Sequence, residues 1–182
     1  ALRMMRMAEK YGRPVITIID TPAAYPGIGA EERGQAEAIA RNLFEMSLIE
    51  VPIIAAVIGE GGSGGALGLS VADCIIMLEY AIYSVISPEG CASILWKENT
   101  EEARSKAASA LKLTAPDLFE LGVIDEVIGE PPGGAHKDWD AAATLLKESL
   151  TRHLAKLDGR PVAELLDGRY AKYRKMGAWD GD

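Results

Sequence analysis

The 182-residue chain is long enough for one domain with a real core, and its 48% apolar and 25% charged residues give a globular balance, which excludes a disordered or fibrous chain. The formal charge of −8 excludes a broad nucleic-acid surface and requires that a polyanionic ligand be met by local cations, backbone amides or a second subunit. The longest apolar run, VPIIAAVIG at 51–59, is too short to span a bilayer, so no membrane role is expected.

In chain order, ALRMMRMAEKYG reads as an amphipathic helix starting in mid-fold, without the pattern of a signal peptide, which predicts a fragment boundary at the N-terminus. PVITIID (14–20) is a β-branched strand. Residues 31–48 read as one helix, with Ala36, Ile39, Ala40, Leu43 and Ser47 at helical spacing and Glu31 and Glu32 in the first turn. Residues 51–59 form the next buried strand, and a glycine run leads from it into a short helix at about 64–72. Residues 73–87 read as two short strands, and Pro88 opens a helix. Residues 103–111 and 115–121 are helical, the second stopped by Gly122, and 123–129 is a last strand. After the loop EPPGGAH (130–136), two helices close the chain at about 138–157 and 161–175, and the tail MGAWDGD is expected to fray. The β–α alternation predicts a single α/β domain over 1–182 with a helical C-terminal segment at about 138–175. Cys74 and Cys91 lack metal-ligand spacing and read as reduced core thiols of a cytoplasmic protein.

The glycine run carries the chemistry. Residues 59–65 hold five glycines in seven positions, at the point where a strand gives way to a helix. The first N–H groups of a helix have no partner within it and carry partial positive charge. Without a Cβ in the way, a ligand oxygen can approach them closely, which makes an anion or oxyanion site. Gly64 and Gly65 are the donors this places at the helix start, with Gly61 and Gly62 shaping the turn. A tight turn that packs helix on strand would use the same glycines. Residues 61–65 also match G-x-S-x-G, the elbow of serine hydrolases, with Ser63 as nucleophile, Asp125 or Glu126 as acid and His136 or His153 as base. His153, among charged neighbours on a helix, reads more simply as a solvated residue. A second loop, DTPAAYPGIGAEERGQ (20–35), leaves the first strand, and the two loops are expected to face one cleft. Neither brings a metal cluster or carboxylate pair. Arg33 reads as a carboxylate ligand or, more simply, as half of a surface ion pair.

Three stretches, IDTPAAYPGIGAEERGQAEAIARNL, VIGEGGSGGALGLSVAD and YSVISPEGCASILWK, resemble the carboxyltransferase α subunit of bacterial multi-subunit acetyl-CoA carboxylase. The resemblance runs from about residue 1 to 175 and includes GGAH at 133–136. It implies the crotonase (ClpP-like) fold, a superhelix of repeated β-β-α turns, here without its N-terminal part. It implies transfer of the carboxyl group from carboxybiotin, held on a biotin carboxyl carrier protein, to acetyl-CoA, giving malonyl-CoA for fatty acid synthesis. The implied partner is a β subunit bearing the zinc ribbon, in an α2β2 assembly, so zinc is expected there and no metal in this chain. The resemblance makes the Gly64 and Gly65 amides the oxyanion hole for the biotin ureido oxygen. It assigns substrate contacts to Gly61, Gly62, Ala23, Ala24, Tyr25, Pro26 and Gly27. Ala23 replaces a glycine common in the family, and a positive φ there would strain it. A crotonase-type hydratase or isomerase would share the fold, with Glu89 and then Glu101 or Glu102 as its carboxylates. A biotin-dependent decarboxylase is a nearer rival still.

Overall fold

The computed structural model describes residues 1–177, so most of the tail expected to fray lies outside the described residues. Four strands run parallel in the order β1 (Val15–Thr21), β2 (Ile53–Gly62), β3 (Cys74–Leu78) and β5 (Glu126–Ile128), with β4 (Ile82–Ser84) paired parallel to the end of β2. Helices cover the sheet, so its central strands are buried on both faces and need no alternation. Residues Ile53–Val57 of β2 and all of β3 are accordingly buried. Around them pack Met46, Ile49, Leu118, Ile124, Leu157 and Leu165 from the surrounding helices and loops.

The helices are α1 (Leu2–Lys10), α2 (Ile28–Glu32), α3 (Gln35–Leu48), α4 (Ser63–Ser70), α5 (Pro88–Leu95), α6 (Glu101–Leu111), α7 (Ala115–Glu120), α8 (Trp139–Leu157) and α9 (Val162–Lys175). Their starts follow local chemistry: Ser87, Thr100 and Asp138 each accept a hydrogen bond from the backbone N–H three residues on. Gly122, with φ +69°, follows the end of α7 as expected. The helix expected over 31–48 is two helices, because Gly34 takes φ 79° and breaks the backbone between α2 and α3. The strand expected to stop at residue 59 continues to Gly62, because β4 pairs with Glu60, Gly61 and Gly62.

One irregularity shapes the site. Along β1 and β2 the pairing is regular to Ile19 opposite Val57, then jumps to Thr21 opposite Gly61. Asp20 fills the step, its Oδ1 accepting from the Glu60 N–H at 3.0 Å. A side chain at Gly59 would collide with that carboxylate.

A single arginine ties the last helix to the sheet. Arg169, 2% exposed, sits on α9. Its Nε and Nη2 donate to the two carboxylate oxygens of Asp73 at 2.9 Å each. Its remaining donors reach the carbonyls of Met46, Ile49 and Val51 at 2.8, 2.8 and 3.1 Å. Asp73 Oδ2 also accepts from the Ile53 N–H at 2.7 Å, where β2 starts.

Candidate functional site

β2 leaves the core as Gly59–Glu60–Gly61–Gly62 and turns into α4 at Ser63. Gly62 is the N-cap, extended at φ −102° and ψ 128°, and no side chain caps the helix. The amides of Ser63, Gly64 and Gly65 are therefore the ones without an intrahelical acceptor. Ser63 has φ 51°, a left-handed elbow that swings the chain from strand to helix.

The two loops meet here, as expected. A Cβ on Gly62 would collide with the Pro22 carbonyl, and one on Gly65 would lie 2.5 Å from the Ala24 nitrogen and 2.6 Å from the Ala23 carbonyl carbon. The glycines thus let the Pro22–Ala24 backbone lie directly on the start of α4. Thr21 steadies that loop by donating to the Ala23 carbonyl at 3.0 Å. Ala23 is unstrained, since among the described residues the non-glycines with positive φ are Ser63, Lys97 and Lys112. Gly64 has more room, its nearest neighbour being Ile39 Cδ1 at 3.3 Å from a built Cβ.

Two cavities flank the turn. One of about 340 Å³ has Ser63 and Gly64 in its wall and is otherwise mostly apolar, with Leu67, Ile75, Tyr83 and Leu118. The other, of about 240 Å³, is bounded by Pro22, Gly61, Gly62, Ser87 and Glu89. Gly64 opens on the first cavity and Gly61 and Gly62 on the second. Gly65 lines neither cavity and lies half-buried, its Cα packed on the loop. Ala23, Ala24, Tyr25, Pro26 and Gly27 line neither cavity: Tyr25 is 76% exposed, and its backbone carbonyl accepts from Gln35. Glu89 is exposed in the first turn of α5, and Glu101 and Glu102 are exposed in the first turn of α6. Arg33 is exposed and pairs with no carboxylate among the described residues, contrary to the ion pair expected.

The serine-hydrolase constellation is not assembled. His153, expected to be solvated, is 11% exposed at its side chain. Its Nδ1 lies 3.2 Å from Cys74 Sγ and its Nε2 2.6 Å from Glu126 Oε2. Both ring nitrogens are thus occupied away from Ser63. Asp125 accepts from the Ile75 N–H at 2.6 Å and from Lys172. Burial, reinforced by the Asp125 charge, pushes the Cys74 thiol up to about 12, so it is no nucleophile at neutral pH. Replacing Ser63 by glycine should relieve the left-handed strain and raise the denaturation midpoint; labelling of Ser63 by a serine-reactive probe would restore the nucleophile.

Burial pushes the Glu126 carboxyl up, but the hydrogen bonds from Arg152 and His153 outweigh it and hold the group below its ordinary range. The unfolded chain then binds more protons through the acid range. The resulting stabilisation is fully present above the ordinary carboxylate value and is lost as pH falls through the folded value. Urea midpoints should therefore drop below about pH 4.3, and Glu126→Gln should flatten that drop. Parallel curves for the two proteins would contradict it.

At its far end α4 is held by residues that no local signal in the sequence marks. Its last four carbonyls each accept from a side chain: Leu67 from Ser70 at 3.3 Å, Gly68 from Asn42 at 3.0 Å, Leu69 from Thr17 at 2.7 Å, and Ser70 from Tyr173 at 2.8 Å. Tyr83 OH lies 2.5 Å from Ser70 Oγ, and the Ala72 N–H donates to Tyr173 OH at 2.9 Å. Burial pushes the Tyr173 phenol up to about 12 and raises that of Tyr83, keeping both neutral at physiological pH.

Comparison with known proteins gives the family and the fold. The family model described as "Acetyl co-enzyme A carboxylase carboxyltransferase-like" matches residues 1–177. The acetyl-coenzyme A carboxylase carboxyl transferase subunit alpha of Geobacter metallireducens is 62% identical over 97% of this chain and 55% of its own length. That of Hydrogenovibrio crunogenus is 59% identical over 99% of this chain and 56% of its own. The chain thus spans about half the length of the curated relatives it matches. Among solved structures, a Pseudomonas malonate decarboxylase hetero-tetramer in complex with coenzyme A superposes with TM-score 0.74 at 18% identity, covering 96% of this chain and 70% of that one. The transcarboxylase 12S core superposes with TM-score 0.68 at 22% identity, covering 88% of this chain and 31% of that one. These likenesses show a shared α/β fold built on a parallel sheet.

Proposed function

Since the chain belongs to the acetyl-CoA carboxylase carboxyltransferase-like family, we propose that it performs the α subunit's share of one reaction: moving a carboxyl group from carboxybiotin to acetyl-CoA to give malonyl-CoA. The observation that carries this reading is the 62% identity to a named α subunit across 97% of the chain. The geometry suits it. An apolar cavity of about 340 Å³, with Gly64 in its wall, fits a flat, mostly apolar ring bearing one urea oxygen.

Bound carboxybiotin supplies the carboxyl group and, once freed of it, a base for the acetyl α-proton. The chain's own part is electrostatic. The amides of Gly64 and Gly65, at the positive end of α4, stabilise negative charge on the ureido oxygen as it develops. Gly61 and Gly62 shape the turn, and the Pro22–Ala24 backbone braces the start of α4. No side-chain nucleophile or protein base is needed, in keeping with the unassembled hydrolase triad. The zinc-ribbon β subunit completes the acyl-CoA side in an α2β2 assembly in the cytoplasm, and the carrier protein delivers biotin.

The test is co-expression of the full-length protein with a zinc-ribbon β subunit, followed by malonyl-CoA-dependent carboxylation of free biotin. Turnover that needs both chains supports the reading. An assembled complex without turnover, or hydration of enoyl-CoA that is lost in Glu89→Gln, overturns it.

A further inference from the structure

A helix of eight residues containing Gly64, Gly65 and Gly68 has little intrinsic tendency to form or to keep a direction. Something outside α4 must fix where its first amides point. The capping is lopsided: no side chain caps the N-terminal end, while each of the last four carbonyls is satisfied by one. The external donors come from three separate elements, Thr17 on β1, Asn42 on α3 and Tyr173 on α9. Tyr83 adds a fourth strut. It stands opposite Gly61 in the strand register, where a Cβ would come within 2.8 Å of its ring, and its hydroxyl meets Ser70.

We propose that Thr17, Asn42, Tyr173 and Tyr83 form a polar clamp that aims α4, and that they act as positioning residues for the Gly64 and Gly65 amides. The inference rests on the oxyanion role given to those amides under the proposed function. The clamp works by rigidity. Orphan carbonyls at a helix end otherwise turn to water or draw the last turn into a tighter coil, which tilts the helix. Held at one end by four side chains and at the other by the Pro22–Ala24 backbone, α4 keeps its amides fixed before a ligand arrives. A displacement of about 1 Å at a reacting centre can cost on the order of a hundredfold in rate. Loss of one of four struts, a fraction of that displacement, should cost roughly tenfold.

Thr17 gives the cleanest test, because valine has its shape without its hydroxyl and serine keeps the hydroxyl. In the full-length complex, Thr17→Val should lower kcat roughly tenfold with KM for malonyl-CoA and biotin unchanged within about twofold, and Thr17→Ser should restore kcat. Asp138→Ala removes the N-cap of α8, an element that supplies no strut of the clamp, and should lower the denaturation midpoint while leaving kcat alone. If Thr17→Val keeps its kcat, or if Asp138→Ala loses as much, the clamp is merely structural. Should Thr17→Val not fold, Asn42→Ala replaces it, with the same outcomes.

The amide resonances of Gly64 and Gly65 give a readout that needs no turnover. They should shift in Thr17→Val and return in Thr17→Ser. Unmoved resonances overturn the clamp even where carboxyl transfer is seen. Shifted resonances in a complex that transfers no carboxyl group uphold the clamp and reject the proposed function.

Discussion

Replacing Arg169 by methionine should cost about 3–5 kcal/mol of stability, the largest single loss in the described structure. The side chain is 2% exposed and spends all five of its donors, two on Asp73 and three on the carbonyls of Met46, Ile49 and Val51. Methionine of similar length leaves the Asp73 carboxylate buried with only the Ile53 N–H, and strands three carbonyls. Lysine should do little better, since it has three donors where five are used. Mutating both partners to apolar residues, often harmless for a buried pair, should fail here because the carbonyls and the Ile53 amide remain. Urea denaturation of the full-length protein measures all three variants against the wild type. A double variant as stable as wild type would show that the backbone bonds contribute nothing.

Under the proposed function, replacing Gly65 by alanine should lower carboxyl transfer by about 10²–10³-fold, the scale of losing one oxyanion donor. The added methyl would lie 2.5–2.6 Å from the Ala23–Ala24 backbone, which cannot turn aside as a flexible side chain could. Either the loop lifts or α4 tilts, and in both cases the amides lose their aim. The same change at Gly64 meets only Ile39 Cδ1 at 3.3 Å and should be several-fold milder. The order is diagnostic. A site that needed only room for a ligand would suffer more at Gly64, which faces the cavity. Equal activity in both variants, in an assembled complex, would leave the glycines with packing alone.

Much of this was legible because it is local. The β-branched run of β1, the Pro88 start of α5 and the strand–glycine–helix turn are each written within a few residues, whereas the Thr100 cap that starts α6 at Glu101, two residues before the expected 103, went unread. Gly34 was a missed local signal: a glycine after EER is a normal helix stop, yet the acidic pair before it and the apolar spacing after it suggested one helix. Other features are written nowhere locally. β2 runs to Gly62 because β4, and Thr21 of β1 past the register step, lie beside it. His153 looks solvated among its neighbours in sequence and is buried only by α8 docking on Cys74 and Glu126. Thr17, Asn42, Tyr83 and Tyr173 carry no motif, because their role depends on elements that meet only in the finished fold. The glycines themselves were read as room for a ligand. At Gly62 and Gly65 they are room for the chain's own backbone.

Arg169 and Tyr173 lie one turn apart on α9, and the bond from Tyr173 to Ser70 spans 103 positions of sequence. During synthesis, α4 therefore leaves the ribosome on the order of 5–20 s before the tyrosine that completes its far cap. Throughout that interval the glycine-rich turn exists without its brace, and its edge strands stand open to wrong partners. The aim of α4 is therefore settled only once α9 docks, so the order in which the helices leave the ribosome becomes part of how this turn is built.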